Sequence, residues 1–260
     1  MKVLIKLGGT LLDDVQSREA LAKQLADVSK SRPLVVVHGG GKQVTRFLEE
    51  RGVTSRFVNG LRVSDKAVID AVTKVIAGTV NQQLVSALVA AGLRAVGLSG
   101  IDGPLTLAEQ LDPALGAVGR PTETDGRLLD LLSEAGYVPT IACIAGDRQG
   151  HVYNVNADQM AVSCASGWSA SKLIFLTDVP GVKDGKGQVA PELTIEESED
   201  LIATGVAQGG MQAKLEAAAV ALRNGVGEVC IAPGREERIC QRLLAGEAIG
   251  TRLYLGTEAA

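Results

Sequence analysis

Two glycine turns near the start of the chain could bind negative charge. Residues Val3–Gly9 and Val35–Gly41 each run from aliphatic residues into glycines and then into a helical pattern, which is typical of a buried parallel strand joined to a helix. Glycine lets the backbone approach a ligand, and the free N–H groups at a helix start attract anions. Two such turns side by side would hold a phosphoryl group or carboxylates, with Lys6 as a positive charge. Either turn alone could be only a tight connection.

Further polar side chains fall at expected strand ends and helix starts. A basic set beside glycine-rich helix starts suits phosphoryl transfer, because catalysis there is mostly positioning and charge neutralisation. The set contains no obvious general base, and a carboxylate acceptor would need none because it is ionised at neutral pH. Its phosphorylation would give an acyl phosphate. Lys214 alone could equally be a solvated surface lysine. The set is Lys6, Arg62, Asn154, Asp158, Asp178 and Lys214.

Composition excludes several classes of protein. The chain has 260 residues, of which 46% are hydrophobic, and this predicts a folded chain with a sizeable core. A net charge of −4 argues against a general nucleic-acid binder, and no apolar run is long enough to cross a membrane. Only His38 and His151 occur, so a three-histidine zinc site is impossible, and His38 is expected to be a packed residue. Four widely spaced cysteines, with no CxxC pair, favour a reducing, cytoplasmic setting.

The predicted elements alternate between strands and helices, which indicates an α/β fold with a mainly parallel sheet. Ligands of such sheets lie beyond the carboxyl ends of the strands, where the glycine turns, Asn154 and Asp178 fall. Ser17, Ser64 and Asn156 are expected to begin helices, and 56–63 reads as a hairpin with an Asn-Gly turn. Residues 100–124 are expected to form short strands and turns, including an edge hairpin. Other strands are predicted at 3–7, 34–37, 95–98, 138–142, 173–176, 228–231 and 251–255, and helices at 17–30, 42–51, 64–91, 125–136, 156–168, 194–204, 209–224 and from 236.

Taken together, the motifs resemble the amino acid kinase family in order and over nearly the whole chain. The hairpin Asn59–Val63 and the segment Asn154–Asp158 are the specific parts of the resemblance, whereas the glycine turns are not. No GxxxxGK[ST] or protein-kinase motif competes with this interpretation. The motifs are Lys6–Gly9, His38–Gly41, Asn59–Val63, Asn154–Asp158, Asp178–Val182 and Gly210-Met211-x-x-Lys214.

The resemblance implies a fold, an activity and a set of roles. The fold would be a three-layer αβα sandwich, with residues 1–169 binding the amino acid and dimerising and residues 170–260 binding ATP. The activity would be ATP-dependent phosphorylation of the side-chain carboxylate of N-acetyl-L-glutamate in arginine biosynthesis. Mg²⁺ would be bound mainly through the nucleotide phosphates, without a dedicated metal site in the protein.

The implied residue roles divide between the phosphoryl group, the amino acid and the nucleotide. Lys6 and Lys214 would stabilise the transferring phosphoryl group, and Asp158 would hold both lysines. Gly8 and Gly40 would offer N–H groups to the phosphoryl oxygens and the attacking carboxylate. The amino acid would be bound by Gly40, Gly41, Arg62 and Asn154, with Arg62 on its α-carboxylate. The nucleotide side would comprise Gly8, Gly9, Asp178, Val179, Pro180, Gly181, Val182, Lys183, Val206, Ala207 and Gln208.

The sequence departs from the family pattern on the nucleotide side. Gly209 stands before Gly210 where an acidic residue is common, and Pro180 stands where a small polar residue is frequent. The family's arginine-inhibited hexamers also carry an additional N-terminal helix. This chain begins directly at its first strand, so we expect a homodimer without arginine feedback.

Two other functions are compatible with the same motifs. One is the related kinase of lysine biosynthesis, which phosphorylates aminoadipate attached to an acidic carrier protein. It would need a basic docking surface, for which Lys42, Arg46, Arg51 and Arg56 are available. The other is a non-catalytic ligand sensor, which could lose either lysine. This chain has both lysines and Asp158, and its hairpin favours N-acetyl-L-glutamate as the substrate.

Overall fold

The computed structural model describes residues 1–256, so the last four residues of the expected second lobe, 257–260, lie outside the described part. The strands are β1 Val3–Leu7, β2 Leu34–His38, β3 Phe57–Val58, β4 Leu61–Arg62, β5 Ala95–Ser99, β6 Thr106–Gln110, β7 Val118–Thr124, β8 Val138–Ala142, β9 Ile144–Gly146, β10 Val152–Val155, β11 Lys172–Thr177, β12 Glu192–Thr194, β13 Glu228–Pro233 and β14 Thr251–Tyr254. The α-helices are α1 Val15–Ser29, α2 Gly41–Glu49, α3 Lys66–Val72, α4 Asn81–Ala90, α5 Arg127–Glu134, α6 Ala157–Gly167, α7 Ile195–Ala203, α8 Gly209–Arg223 and α9 Ile239–Leu244.

Eight strands form the central sheet, in the order β12-β14-β13-β11-β1-β2-β8-β5. All neighbours in it are parallel except β13 and β14. Helices cover both faces, with α1 contacting α4 and α9 while α6 contacts α8. The prediction of an αβα sandwich with a mainly parallel sheet is therefore confirmed. Strands β1, β2, β8 and β11 are buried along their whole length, which explains their largely apolar sequences.

Several helix starts differ from the expected ones by a few residues. Asp14, rather than Ser17, is the N-cap of α1, and its carboxylate accepts a hydrogen bond from the Ser17 N–H. Asp65, rather than Ser64, caps α3. Asn156 caps α6 as predicted, with its side-chain oxygen accepting from the N–H groups of Asp158 and Gln159. In each case the N-cap is the residue whose side-chain oxygen can accept a hydrogen bond from the second or third N–H of the helix.

The helix expected over 64–91 is interrupted by a π-helical segment, Thr73–Val80. This segment joins α3 to α4, and its Ile76 and Val80 side chains lie where a Cβ on Gly40 would contact them at 3.2 and 3.3 Å. Wider π-helical turns often occur at functional sites. Here the segment packs against the second glycine turn.

The stretch 100–124 does not form an edge hairpin of the main sheet. Strands β6 and β7 instead close with β9 and β10 into a small four-stranded barrel, in the order β10-β7-β6-β9. The barrel places β10, and with it Asn154, next to the start of α6. Within residues 1–256, no helix is long and apolar enough to cross a membrane.

Candidate active site

The site lies at the carboxyl ends of three adjacent strands. In the register of the sheet, Leu7 at the end of β1 is paired with His38 of β2 and with Leu176 of β11. The chain segments that follow these strands therefore leave the sheet at the same edge. This brings together the two glycine turns and Asp178, as the sequence predicted.

A buried carboxylate links the two lysines. Lys6 projects from β1, and its Nζ lies 2.7 Å from Oδ1 of Asp158 in the first turn of α6. The Nζ of Lys214 lies 3.2 Å from Oδ2 of the same carboxylate. Helix α8 begins at Gly209, so Lys214 belongs to its second turn. Its ammonium group is turned to a buried partner, which excludes the solvated-surface alternative.

The electrostatics of this triad favour a bound anion. Burial raises the pKa of Asp158, but the ammonium groups of Lys6 and Lys214 lower it by more, and the net pKa is below the ordinary value. Asp158 is therefore ionised at neutral pH. One carboxylate faces two ammonium groups, and an excess positive charge remains in a site where the lysine side chains are only 8% and 17% exposed. A desolvated positive charge of this kind is stabilised by an anionic ligand.

Two helices begin here without a side-chain cap. Gly40, the N-cap of α2, has no side chain, and the side chain of Gln208, the N-cap of α8, makes no hydrogen bond to the first N–H groups of its helix. Uncapped helix starts leave N–H donors for an anion. Among residues 1–256, the Gly40 N–H has no hydrogen-bond acceptor.

The first glycine turn corrects one expectation. The Gly8 N–H donates to the Leu176 carbonyl at 3.0 Å, so it is engaged by β11 and is not free for phosphoryl oxygens. Gly9 follows it and begins a short 3-10 helix, Gly9–Leu11, and a Cβ on Gly9 would lie 3.5 Å from the Gly40 nitrogen. The two turns thus pack directly against each other, with the Gly8 N–H occupied by β11.

Arg62 ends the short hairpin β3–β4 and is held by three acceptors. Its Nη2 donates to the Gly41 carbonyl at 2.8 Å and to the Thr45 hydroxyl at 2.7 Å, while Nη1 donates to the Ser55 hydroxyl. The guanidinium also stacks on Phe57, 4.6 Å from the ring centroid. Burial lowers the pKa of Arg62, although an arginine stays protonated. A guanidinium has five N–H donors, so two remain for a ligand.

Asn154 is connected to the same hairpin through Ser64. Its Nδ2 donates to the Ser64 hydroxyl at 3.1 Å, and that hydroxyl donates to the Arg62 carbonyl at 2.8 Å. Ser64 is fully buried. The sequence presented Ser64 only as a helix cap, because the contact spans 90 residues and has no local signal.

These groups surround a cavity of about 240 Å³. Its polar lining includes Lys6, Gly40, Gly41, Arg62 and Asn154, so the structure brings all the expected amino-acid-binding residues to one space. The apolar part of the lining was not foreseen, because Val44, Val72, Ile76, Val118 and Cys143 come from five separate elements or connections.

The expected nucleotide residues lie at two further loops. Residues Asp178–Val182 follow β11. Gly181 has φ +155°, a backbone conformation that favours glycine, and a Cβ at this position would lie 2.7 Å from the Val189 side chain. The Val182 N–H donates to the Thr251 hydroxyl at 2.8 Å, which fixes this loop to β14. Lys183 pairs with Val189 in an isolated antiparallel bridge. Residues Val206–Gln208 precede α8, with Val206 exposed and Ala207 buried. Pro180 is exposed beside Val179, whose apolar side chain faces solvent.

Within the described residues, no group of three or more histidine, cysteine, aspartate or glutamate side chains could hold a metal ion. Of the two expected site carboxylates, Asp158 is engaged by lysines, and Asp178 accepts a hydrogen bond from Thr177.

Comparisons with known proteins agree with this geometry. The sequence matches the amino acid kinase family over residues 1–233. It is 59% identical over 254 residues to an acetylglutamate kinase of Solibacter usitatus, covering 97% of this chain and 99% of that protein. An acetylglutamate kinase of Bartonella tribocorum is 40% identical over 265 residues, with 96% and 88% covered.

Solved structures share the fold. An N-acetylglutamate synthase from Neisseria gonorrhoeae, complexed with coenzyme A and N-acetyl-glutamate, has a TM-score of 0.88 at 25% identity and matches 98% of this chain and 60% of its own. A carbamate kinase from Giardia lamblia bound to AMP-PNP has a TM-score of 0.74 at 17% identity, with 98% of each chain covered. The second likeness shows the fold alone.

Proposed function

The chain belongs to the amino acid kinase family, and we propose that it phosphorylates the side-chain carboxylate of N-acetyl-L-glutamate with ATP, in arginine biosynthesis. A carboxylate oxygen attacks the γ-phosphorus, the bond from that phosphorus to the β,γ-bridging oxygen breaks, and ADP leaves with the electron pair. The product is an acyl phosphate. No proton is removed from the acceptor, which agrees with a site whose only buried carboxylate is already paired.

The observation that carries the proposal is the Lys6–Asp158–Lys214 triad. Phosphoryl transfer needs positive groups where charge accumulates, and two desolvated ammonium groups fixed by one carboxylate supply them without reorganisation. Lys6 approaches from the cavity lined by Arg62 and Asn154, whereas Lys214 approaches from α8 on the nucleotide side. We assign both lysines to the transferring phosphoryl group and Asp158 to their positioning.

The cavity chemistry supports an amino acid with two carboxylates. The positive charge and the two remaining donors of Arg62, one on Nη1 and one on Nε, suit the α-carboxylate, and Asn154 offers an amide to the same part of the substrate. The free N–H of Gly40, at the uncapped start of α2, suits the reacting carboxylate or phosphoryl oxygens. Gly41 contributes its backbone to the wall of the cavity.

We place ATP at the loops that follow β11 and precede α8. Gly8, Gly9 and Asp178–Lys183 border the phosphates and ribose in this proposal, and Val206–Gln208 border the base. The exposed apolar side chains of Val179 and Val206 give this surface a place for an aromatic ring. Mg²⁺ bound through the phosphates would supply further neutralisation of negative charge.

The central sheet supports a proposal for the two lobes and for the assembly. We propose that residues 1–169 bind the amino acid and dimerise, and that residues 170–260 bind ATP. Strand β5 ends the sheet within the first lobe, its residues 95–98 are only half-buried, and exposed apolar Val89 and Ile101 flank it. An apolar strand edge of this kind suits a homodimer, which light scattering would detect.

We also propose a cytoplasmic location. All four cysteines, Cys143, Cys164, Cys230 and Cys240, are free and buried. Burial raises the pKa of each thiol to about 12, so the thiols are unreactive and play no part in disulfides. A reducing compartment suits such a chain.

The substrate is tested by ATP-dependent hydroxamate formation, in which hydroxylamine traps the acyl phosphate. N-acetyl-L-glutamate, L-glutamate and aminoadipate are compared at equal concentrations. We expect turnover with N-acetyl-L-glutamate only, and turnover restricted to aminoadipate on an acidic carrier would contradict the proposal. Binding of N-acetyl-L-glutamate with neither hydroxamate formation nor ATP consumption would instead favour the non-catalytic ligand sensor.

The basic surface required for a carrier protein is partly neutralised. Arg46 forms an ion pair with Asp13, and Arg51 stacks on Phe47 at 3.6 Å and lies 3.8 Å from Glu50. The structure thus gives no specific support to carrier-linked aminoadipate.

A further inference from the structure

We propose that His38 and Asn81 form a positioning pair that sets the orientation of the Gly39–Gly40 peptide and so aims the Gly40 N–H at the reacting oxygens. This inference rests on the proposed function for its catalytic consequence. His38 is the last residue of β2 and is fully buried, and Asn81 is the first residue of α4, directly after the π-helical segment.

The hydrogen bonds of the pair fix the proton of the imidazole ring. The Asn81 Nδ2 lies 2.9 Å from the Thr140 carbonyl oxygen, which can only accept, so this atom is the amide nitrogen and not the oxygen. The same Nδ2 lies 2.9 Å from Nε2 of His38, and Nε2 must therefore be the acceptor. A neutral ring with an accepting Nε2 carries its proton on Nδ1. That Nδ1–H donates to the Gly39 carbonyl, 2.9 Å away.

A hydrogen bond to the Gly39 carbonyl controls the next N–H. The carbonyl oxygen of Gly39 and the amide N–H of Gly40 belong to one planar trans peptide and point in opposite directions. Holding the oxygen against His38 therefore turns the Gly40 N–H away from the ring, towards the cavity that Gly40 lines.

The neighbouring carbonyls of the turn are held as well. The Gly40 carbonyl accepts from the Val44 N–H at 3.0 Å, and the Gly41 carbonyl accepts from Arg62 and from the Thr45 hydroxyl. The turn thus has all its carbonyls engaged, while the Gly40 N–H has no acceptor within residues 1–256. This is the arrangement expected of a preorganised donor.

Asn81 occupies a space that only a glycine opposite it allows. A Cβ on Gly97 of β5 would lie 2.1 Å from the Asn81 Oδ1. An alanine at position 97 would displace the amide without touching His38. Gly78 provides a matched control on the adjacent π-helical segment, because nothing lies within 4 Å of a Cβ built there.

The first test measures the tautomer and needs no activity. The chain has two histidines, so an ¹⁵N–¹H spectrum of histidine-labelled protein contains two rings, which His151→Gln assigns. We expect His38 in the Nδ1–H form, unchanged between pH 6 and 8. A proton on Nε2, or titration in that range, would overturn the proposal.

The second test separates positioning from packing. In His38→Asn the amide nitrogen takes the place of Nδ1 and can donate to the Gly39 carbonyl, whereas His38→Gln reaches the position of Nε2 and cannot. We expect His38→Gln and Gly97→Ala to lower kcat about 10- to 100-fold, since small misplacements of a reacting group cost that much, with KM for ATP within about twofold. His38→Asn should retain most of kcat, and Gly78→Ala all of it.

Folding of every variant is checked by circular dichroism and by the fluorescence of Trp168, the single, buried tryptophan. Equal losses in His38→Asn and His38→Gln, or wild-type kcat in both, would refute the positioning role. If wild-type protein makes no hydroxamate, the proposed function fails instead. The tautomer measurement still tests the His38–Asn81 pair, because it does not depend on activity.

Discussion

Replacing Lys214 with alanine should reduce kcat far more than it weakens binding of either substrate. Lys214 is the less buried lysine of the triad, and Asp158 keeps its 2.7 Å contact with Lys6 in the variant, so the folded structure should persist. The lost charge acts on oxygens whose negative charge grows during transfer. Ground-state binding therefore changes less than the transition state does.

The magnitude follows from two independent estimates. At about 4 Å and an effective dielectric constant of about 20, a pair of unit charges interacts by about 4 kcal/mol. Removing one preorganised donor from a developing oxyanion costs about 2.7–4 kcal/mol, or roughly 10²–10³-fold in kcat. The side chain of Lys214 is 17% exposed, so some of its charge is screened by water and the lower end of this range is expected.

The assay is steady-state kinetics of N-acetyl-L-glutamate phosphorylation, with each substrate varied in turn. Lys74→Ala is the matched control, because it removes a lysine paired with an aspartate on an exposed helical surface. That control should leave kcat unchanged. A folded Lys214→Ala enzyme with near-normal kcat would refute the role of the triad, and arginine at position 214 should not rescue activity, since its planar fork differs from a compact ammonium group.

Three further predictions concern other parts of the molecule. Arg62→Ala should raise KM for N-acetyl-L-glutamate by about 10- to 100-fold, as expected for loss of a charge-assisted hydrogen bond of about 1.5–3 kcal/mol, while KM for ATP stays constant in the same kinetics. A defect confined to ATP would remove Arg62 from the substrate site. Gly181→Ala should weaken ATP binding, because a Cβ there would lie 2.7 Å from Val189 and φ is +155°. Isothermal titration with a nonhydrolysable ATP analogue measures this, and unchanged affinity would exclude the loop from the nucleotide site. Burial lowers the pKa of His38 from 6.5 to about 4, so the unfolded chain takes up this proton first as the pH falls. Between pH 6.5 and pH 4, the free energy of unfolding should fall by on the order of 3 kcal/mol more in the native protein than in His38→Asn, as measured by urea denaturation. Equal losses in both proteins would contradict a neutral buried ring.

The sequence predicted those parts of the fold and site that have a local signal. Aliphatic runs followed by glycines predicted β1 and β2, because this composition is typical of buried parallel strands. Asn156 was identified as a helix cap because its side chain reaches N–H groups two and three residues ahead. The gathering of the strand ends at one edge then followed from the topology of parallel sheets.

Other features depend on contacts between distant segments. The Gly8 N–H was expected to be free, but β11, more than 160 residues away, supplies its acceptor. Ser64 had the pattern of a helix cap, yet Asp65 caps α3 and the Ser64 hydroxyl connects Arg62 to Asn154. The closed barrel of β6, β7, β9 and β10 was missed because short strands with glycines look the same in a hairpin at a sheet edge.

The π-helical segment had no sequence signal either. Its residues 73–80 are rich in β-branched side chains, which are weak helix formers but do not distinguish a π-helical from an α-helical turn, and Ile76 and Val80 lie beside the second glycine turn. His38 was expected to be a packed residue, which is correct for its burial. Its partner Asn81 lies 43 residues away and could not be inferred without the structure.

Transfer of the phosphoryl group to a carboxylate oxygen is tested most directly with N-acetyl-L-glutamate labelled with ¹⁸O in its side-chain carboxylate. When hydroxylamine traps the acyl phosphate, it attacks the carbonyl carbon and releases phosphate that retains the bridging oxygen. ³¹P NMR resolves this phosphate by its isotope shift. We expect one ¹⁸O atom in each phosphate released, in an amount equal to the hydroxamate. Phosphate without ¹⁸O would show that water, rather than the substrate carboxylate, attacks ATP, and would contradict the proposed reaction.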